Sequence, residues 1–240
     1  MEESISPTYN EPSYASDNAV SPTDLAKPQR RLASNRRLQK AMKRTIDISA
    51  AVSFLILFSP LLLGVALLLL IAQGRPILFK HNRVGRNGEA FKCFKFRTMV
   101  NGAGRALEDY LAANPAAGRE WEASQKLKDD PRITPLGHVM RKLSVDELPQ
   151  FLNVAMGQMS LVGPRPIVSS EASFYGSHID AYYSVRPGVT GPWQVGGRSN
   201  ASYQRRVQLD VDYAHNWSLG RDIVILLKTV PAVLFQDGSC

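Results

Sequence analysis

Two neighbouring carboxylates, Asp146 and Glu147, stand in the run Ser144-Val145-Asp146-Glu147-Leu148-Pro149-Gln150, directly after Arg141-Lys142. A carboxylate kept ionised by nearby cations and a helix start can attack phosphorus, while its neighbour holds a divalent cation. The same residues fit a purely local role. Ser144 followed by Glu147 matches a capping box, and acidic residues are favoured in a first helical turn. Taken alone, the run favours the local role. The cations that phosphate chemistry needs recur elsewhere: Lys95, Arg97, Arg165 between two prolines, Arg186 before Pro187, and Arg198 after Gly196-Gly197. Each by itself reads as a solvated surface charge. Together they point to phosphate handling, because arginine offers a bidentate fork and glycine turns let backbone amides approach an anion. His81, His138, His178 and His215 are scattered, so no zinc pattern emerges.

Several elements must position these side chains. Residues 76–84 and 89–99 alternate apolar and polar around Arg86-Asn87-Gly88, which predicts a β-hairpin carrying Lys95 and Arg97. Helical spacing appears over 105–113, 119–128 and 135–143, the last opening on a proline suited to a first helical position. Residues 149–156 read as a further helix ending at Gly157, and Gly163-Pro164-Arg165-Pro166 and Arg186-Pro187-Gly188 as rigid loops. The stretch 221–235 is apolar on most faces, as in a buried helix or one lying in a membrane interface.

Residues 48–74 contain no charged side chain, long enough to cross a hydrocarbon core of ~30 Å as a helix. The stretch follows a polar leader and lacks a small-residue cleavage site, so it reads as a retained segment rather than a signal peptide. Ser59-Pro60 interrupts it near the middle, where proline removes a helical hydrogen bond. The flanks are basic on both sides, with Lys40, Lys43 and Arg44 before and Arg75, Lys80, Arg83 and Arg86 after. That symmetry favours a helix that enters the bilayer, breaks at Ser59-Pro60 and returns to the same side, with Ser59 satisfying freed backbone groups. A single kinked spanning anchor is the alternative.

Composition sets the remaining limits. The chain has 240 residues, 44% of them hydrophobic, enough for one core with small additions. Its net charge of +8 suits polyanionic surroundings. No nucleic-acid motif accompanies that charge, so nucleic acid is not an expected partner. Two cysteines, Cys93 and Cys240, are too few for a disulfide framework. Residues 1–36 are expected to be a disordered leader with a basic end, 37–75 a juxtamembrane and membrane segment, and 76–240 a catalytic domain. Basic residues over 27–44 suit anionic lipid headgroups, at roughly 1 kcal/mol each.

The ordered motifs resemble those of the bacterial sugar transferases, monotopic polyprenyl-phosphate phosphoglycosyl transferases. They are Lys43-Arg44 with Asp47, Ser59-Pro60, Phe96-Arg97-Thr98-Met99 and Asp130-Pro131-Arg132-Ile133-Thr134, followed by Asp146-Glu147-Leu148-Pro149-Gln150. Val162-Gly163-Pro164-Arg165-Pro166, Arg186-Pro187-Gly188-Val189-Thr190-Gly191 and Leu209-Asp210-Val211 complete the series, so the match covers nearly everything after Lys43. The resemblance implies an α+β, mostly helical monotopic membrane protein with a re-entrant helix-break-helix, a small β-hairpin and interfacial amphipathic helices. It implies that Asp146 attacks the sugar-bearing phosphate of a UDP-sugar and releases UMP, and that undecaprenyl phosphate then takes the phosphosugar from Asp146. Mg2+ would be held partly by Glu147. Arg141 would orient the acidic pair, Arg165 would bind phosphate and Asp210 would shape the site. Lys95, Arg97, Arg186, Gln194 and Arg198 would serve the diphosphate or nucleotide.

The sequence resembles the short exopolysaccharide-initiating subgroup of undecaprenyl-phosphate galactose phosphotransferases. That similarity implies galactose-1-phosphate, with glucose-1-phosphate as runner-up, at the cytoplasmic face of a bacterial inner membrane. Expected partners are UDP-galactose or UDP-glucose, undecaprenyl phosphate and membrane lipids, with room for a homo-oligomer or later glycosyltransferases. His81 departs from the family, where glutamine is usual, and Asp212 adds a carboxylate beside Asp210. Two rivals stand against this reading: a non-catalytic scaffold for polysaccharide assembly, and a glycosyltransferase that would release UDP.

Overall fold

A computed structural model describes residues 22–124, 127–196 and 202–234. The chain divides into two compact units, Met1–Lys40 and Ala41–Cys240. In the first, the backbone is helical from Pro22 as the opening of α1 (Pro22–Leu57). Of the leader expected over 1–36, residues 1–21 lie outside the described residues. Pro22 suits a helix start, and the Lys, Arg, Gln, Leu and Ala that follow are strong helix formers.

In the second unit, α1 gives way to α2 (Ser59–Gln73) at a 62° bend. Pro60 has no amide hydrogen, so the carbonyl of Ile56 loses its helical donor. The Ser59 hydroxyl donates to that carbonyl at 2.8 Å and satisfies it. Among the described residues no single helix is long and apolar enough to cross a membrane, but the bent pair passes that test together. One face of α2 packs through Leu62, Val65, Ala66 and Leu69 against Phe96 and Met140. Leu63 and Ile71 are left 69% and 76% exposed, an apolar stripe that no protein covers.

The hairpin follows as β1 (Leu78–Val84) and β2 (Ala90–Phe96), paired antiparallel from Leu78 opposite Phe96 to Val84 opposite Ala90. Its turn needs left-handed backbone, which Asn87 (φ 58°) and Gly88 (φ 77°) supply. Helices α3 (Ala103–Ala113), α4 (Pro115–Ser124) and α5 (Pro135–Lys142) come next, the last capped by Thr134 on the Gly137 amide. A short α6 (Gln150–Ala155) leads into β3 (Ser160–Val162). Then come a ten-residue 3-10 segment (Ser169–His178), α7 (Ile179–Tyr183), β4 (Gly188–Thr190) and α8 (Pro192–Gly196). Helices α9 (Tyr203–His215) and α10 (Leu219–Leu234) close the described chain.

The segments expected as rigid loops adjoin a two-stranded parallel sheet, with Ser160 opposite Gly188 and Val162 opposite Thr190. Gly163 and Gly188 permit it: a β-carbon on Gly188 would stand 2.1 Å from the Gly163 nitrogen. The glycines thus let two proline-flanked backbones touch, which fixes Arg165 just beyond the ladder.

Among the described residues, the contact of α2 with Phe96 and Met140 is one of three core clusters, and two others complete the core. Ala51, Phe91, Val154, Met159, Val162, Tyr213 and Ile225 join α1, the hairpin, α6, β3, α9 and α10. Val84, Ile167, Tyr175, Tyr182 and Val207 form the second. Charged groups lock α1 to the first cluster. Asp47, 3% exposed, accepts from the Ser160 hydroxyl at 2.8 Å and the Leu161 amide at 3.1 Å. Lys43 donates to Asp222 at 2.7 Å, and Arg44 donates to the Val154 carbonyl at 2.9 Å.

Replacing Asp47 leaves buried donors on β3 unmet, so Asp47→Ala is expected to cost about 3 kcal/mol of stability. Asp212→Ala breaks an exposed pair with Arg221 and should cost less than about 1 kcal/mol. Thermal melts in detergent compare the two, and equal melting temperatures would remove Asp47 as a structural fixed point.

Candidate active site

The acidic pair does not sit in an ordinary helix start. Val145–Glu147 form one 3-10 turn between α5 and α6, entered through Ser144 in the left-handed region at φ 55° and ψ 19°. The expected capping box does not form, because Ser144 makes no side-chain cap bond and Glu147 turns its carboxylate to Lys95. The Lys95 ammonium donates to Glu147 Oε1 at 2.5 Å and stands 4.0 Å from Asp146 Oδ2. Asp146 is buried and Glu147 half-buried.

Lys95 reaches this point because Asn153 on α6 grips the hairpin. The Phe94 amide donates to Asn153 Oδ1 at 3.0 Å, and Asn153 Nδ2 donates to the Lys92 carbonyl at 2.8 Å. One buried amide thus aligns β2 with the helix that follows the acidic turn. Register alone then puts Lys95 beside the carboxylates.

Electrostatics divide the pair. Burial pushes the Asp146 carboxyl above the usual range, Lys95 opposes the shift, and Glu147 adds to it. Burial would raise Glu147 as well, but the charges of Lys95 and Arg165 and the bond from Lys95 outweigh it and bring the group down to about 2. Glu147 is therefore the fixed anion of the pair. Asp146 is the more basic and less strongly held.

A small cleft open to solvent lies over the turn, lined by Arg83, Cys93, Lys95, Glu147, Gln150, Arg165, Pro166, Val189 and Gln194. Arg165 enters from the Pro164–Pro166 corner, its guanidinium 5.7 Å from the centre of the Trp193 ring. Of the sequence-predicted residues, Lys95, Glu147, Arg165 and Gln194 line this cleft, with Asp146 at its edge through Lys95.

The others stand elsewhere. Arg97 is buried and donates to the Gln73 and Gly74 carbonyls at 2.6 and 3.0 Å, where α2 ends with unmet acceptors. Arg186 donates to the Gly157 carbonyl at 2.8 Å, tying α6 to β4. Arg141 donates to Thr98 Oγ1 at 3.0 Å, yet its charge still favours ionised Asp146. Asp210 is 0% exposed and accepts from the Tyr175 hydroxyl at 2.8 Å; burial raises its carboxyl to about 6. Asp212 is exposed and pairs with Arg221, which separates the two acids of α9. Arg198 lies outside the described residues. Sequence reasoning missed Arg83 and Gln150. Alternation along the hairpin carries the signal for Arg83, which shares a face with Lys95.

A sequence profile described as bacterial sugar transferase matches residues 38–236. The chain belongs to the bacterial sugar transferase family. It is 49% identical over 197 residues to an exopolysaccharide production protein, ExoY, of Sinorhizobium fredii, covering 82% of this chain and 87% of that one. An undecaprenyl-phosphate galactose phosphotransferase of Salmonella typhimurium is 47% identical, over 85% of this chain and 43% of its own length. A UDP-glucose:undecaprenyl-phosphate glucose-1-phosphate transferase of Caulobacter vibrioides is 40% identical, over 82% and 71%. Family membership makes this bacterial sugar transferase an enzyme, and the mostly helical α+β architecture expected from its sequence is the one observed.

If Asp146 reacts as an anion, its raised carboxyl places the acid limb of transferase activity above the ordinary aspartate value of ~3.9. Lys95 favours the ionised form, so Lys95→Met raises that carboxyl further and moves the limb to higher pH. Activity is then lost earlier as pH falls. A pH–rate profile in which the limb stays fixed or moves down would exclude Asp146 as the titrating group.

Proposed function

We propose that the enzyme moves a sugar-1-phosphate from a UDP-sugar to undecaprenyl phosphate, releasing UMP and forming an undecaprenyl-diphosphate sugar. The observation that carries this reading is the buried Asp146 beside an anionic Glu147, both facing Lys95 at a cleft that Arg165 also lines. An oxygen of Asp146 attacks the sugar-bearing phosphorus. The bond from that phosphorus to the bridging oxygen breaks, and UMP departs with the electron pair. An oxygen of undecaprenyl phosphate next attacks the same phosphorus, the bond to Asp146 breaks, and the carboxylate is restored. Neither step requires a proton, in keeping with a nucleophile that is already a base.

Magnesium fits the donor set. Adjacent carboxylates offer hard oxygens, and magnesium commonly completes its shell with substrate phosphates and water. Among the described residues no cluster of three or more acids, histidines or cysteines forms a closed cage. Glu147 would hold the ion, which when bound neutralises charge on the transferred phosphoryl group. Lys95 keeps Glu147 anionic and aimed, and Arg165 anchors phosphate.

Galactose-1-phosphate is the proposed group, supported by the greater identity to the relative named for galactose than to the one named for glucose. Glucose-1-phosphate is the alternative that the second relative favours. The reaction would open exopolysaccharide synthesis at the cytoplasmic face of a bacterial inner membrane. The bent α1–α2 pair would enter the bilayer and return, its exposed apolar stripe meeting lipid and its basic flanks meeting headgroups.

Purified enzyme with magnesium, undecaprenyl phosphate and UDP-galactose should release UMP, and Asp146→Asn should lower that release by about 10³-fold or more, the scale on which a lost nucleophile acts. Release of UDP would refute the phosphosugar transfer. Cysteines placed just before and just after the bent pair should both resist a periplasmic thiol reagent. Labelling of one end alone would mean that the pair spans.

A further inference from the structure

Arg83 enters the cleft from β1. In the register of the hairpin, Arg83 faces Phe91, His81 faces Cys93 and Phe79 faces Lys95. Directly paired residues share a face and alternate with period two, so Arg83, Cys93 and Lys95 point the same way. All three line the cleft together with Arg165.

The charges around that cleft are unevenly matched. Lys95 is engaged by Glu147 at 2.5 Å. Among the described residues, Arg165 forms no ion pair with a carboxylate and instead lies against Trp193. Arg83 meets Glu171 at 3.6 Å, too long for a hydrogen bond, and Glu171 is shared with Arg206 at 3.6 Å. Glu171 also accepts from the Val168 amide at 2.8 Å, which fixes it in place. Burial, and then the nearby Arg165 charge, pull the Arg83 guanidinium below its ordinary range, while Glu171 opposes them. Two like charges held at one partly buried site are relieved by an anion between them.

We propose that Arg83 is a second phosphate-binding guanidinium of the cleft, positioned by Glu171 and acting with Arg165 on the diphosphate of the nucleotide-sugar donor. The inference rests on the phosphosugar-transfer reading above. Its division of labour is specific: Lys95 stays with the acidic pair, and the two arginines hold the phosphates. Glu171 does not touch the donor. It sets the direction of Arg83 through a long ion pair to one guanidinium nitrogen, while the other meets His81 Nδ1 at 3.3 Å, contacts long enough for the guanidinium to turn its fork to an incoming oxygen.

The test uses the full chain in detergent with magnesium. UDP affinity is measured by calorimetry, and KM and kcat for UDP-galactose are measured through UMP release, for wild type, Arg83→Gln, Arg83→Lys and Glu171→Gln, with melting temperatures recorded. Loss of a charge-assisted bond should weaken UDP binding and raise KM on the order of 10- to 100-fold in Arg83→Gln, with a smaller change in kcat. Arg83→Lys should recover part of the loss, and Glu171→Gln should fall between wild type and Arg83→Gln. UDP affinity within twofold of wild type in Arg83→Gln overturns the proposal. So does an equal loss in the glutamine and lysine variants accompanied by lower melting temperatures, which would mark Arg83 as structural. Should the wild type release UDP instead of UMP, the reaction reading fails, and the UDP affinities still decide the role of Arg83.

Discussion

Asp47 joins a helix that is apolar over most of its last turns to a strand that leads to the loop carrying Arg165. Its buried carboxylate takes a hydroxyl and an amide from consecutive residues of β3, so the position of α1 and the path of β3 are one decision. Lys43, one turn earlier, ties the same helix to Asp222 of α10. Asp222 also accepts from Tyr213 at 2.7 Å and Trp217 at 3.0 Å, which draws in α9 and its end. A buried charge without these partners would cost several kcal/mol, so the network forms complete or not at all. From β3 the chain passes through Gly163 and Pro164 to Arg165 with little freedom left.

The second fixed point is Asn153, and it acts on the other wall of the cleft. Its side chain supplies the hydrogen bonds that a third strand would have given β2 at Lys92 and Phe94. A two-stranded hairpin is marginal by itself. Clamped by Asn153, it becomes a rigid carrier whose inward face bears Arg83 and Lys95. Arg97 lies on the following extended segment and serves the opposite purpose, closing the end of α2. The hairpin therefore links α2 to the acidic turn through successive basic residues that do different work.

Much of this was legible in the sequence. The bend at Ser59-Pro60 follows from a missing amide and a nearby hydroxyl, both local facts. The hairpin followed from alternation around Asn87-Gly88, and α3, α5, α6 and α10 from helical spacing and proline starts. Helix α9 was missed because its buried face carries Arg206 and Asp210 alongside Val207 and Tyr213, which erases the apolar period. The parallel ladder was missed because its strands are three residues long and rich in glycine and proline, compositions that signal loops. The acidic pair was identified, but Glu147 as a partner of Lys95 rather than of a helix cap depends on a contact across 52 positions. The charges of Arg97 and Arg186 are visible in the sequence, whereas the carbonyls they satisfy are not.

The separation between Asp146 and Glu147 gives the site its chemical logic. Identical neighbours on one turn would titrate together if both saw the same surroundings. Lys95 lies 2.5 Å from one and 4.0 Å from the other, and Arg165 adds to the asymmetry by favouring the Glu147 anion. Glu147 is thereby held as an anion, while Asp146 stays the more basic and less strongly bonded of the two, the difference on which its proposed role as nucleophile rests. The same arrangement explains why a lysine occupies Lys95: its single ammonium can bias one carboxylate strongly and the other weakly, where an arginine fork would engage both alike.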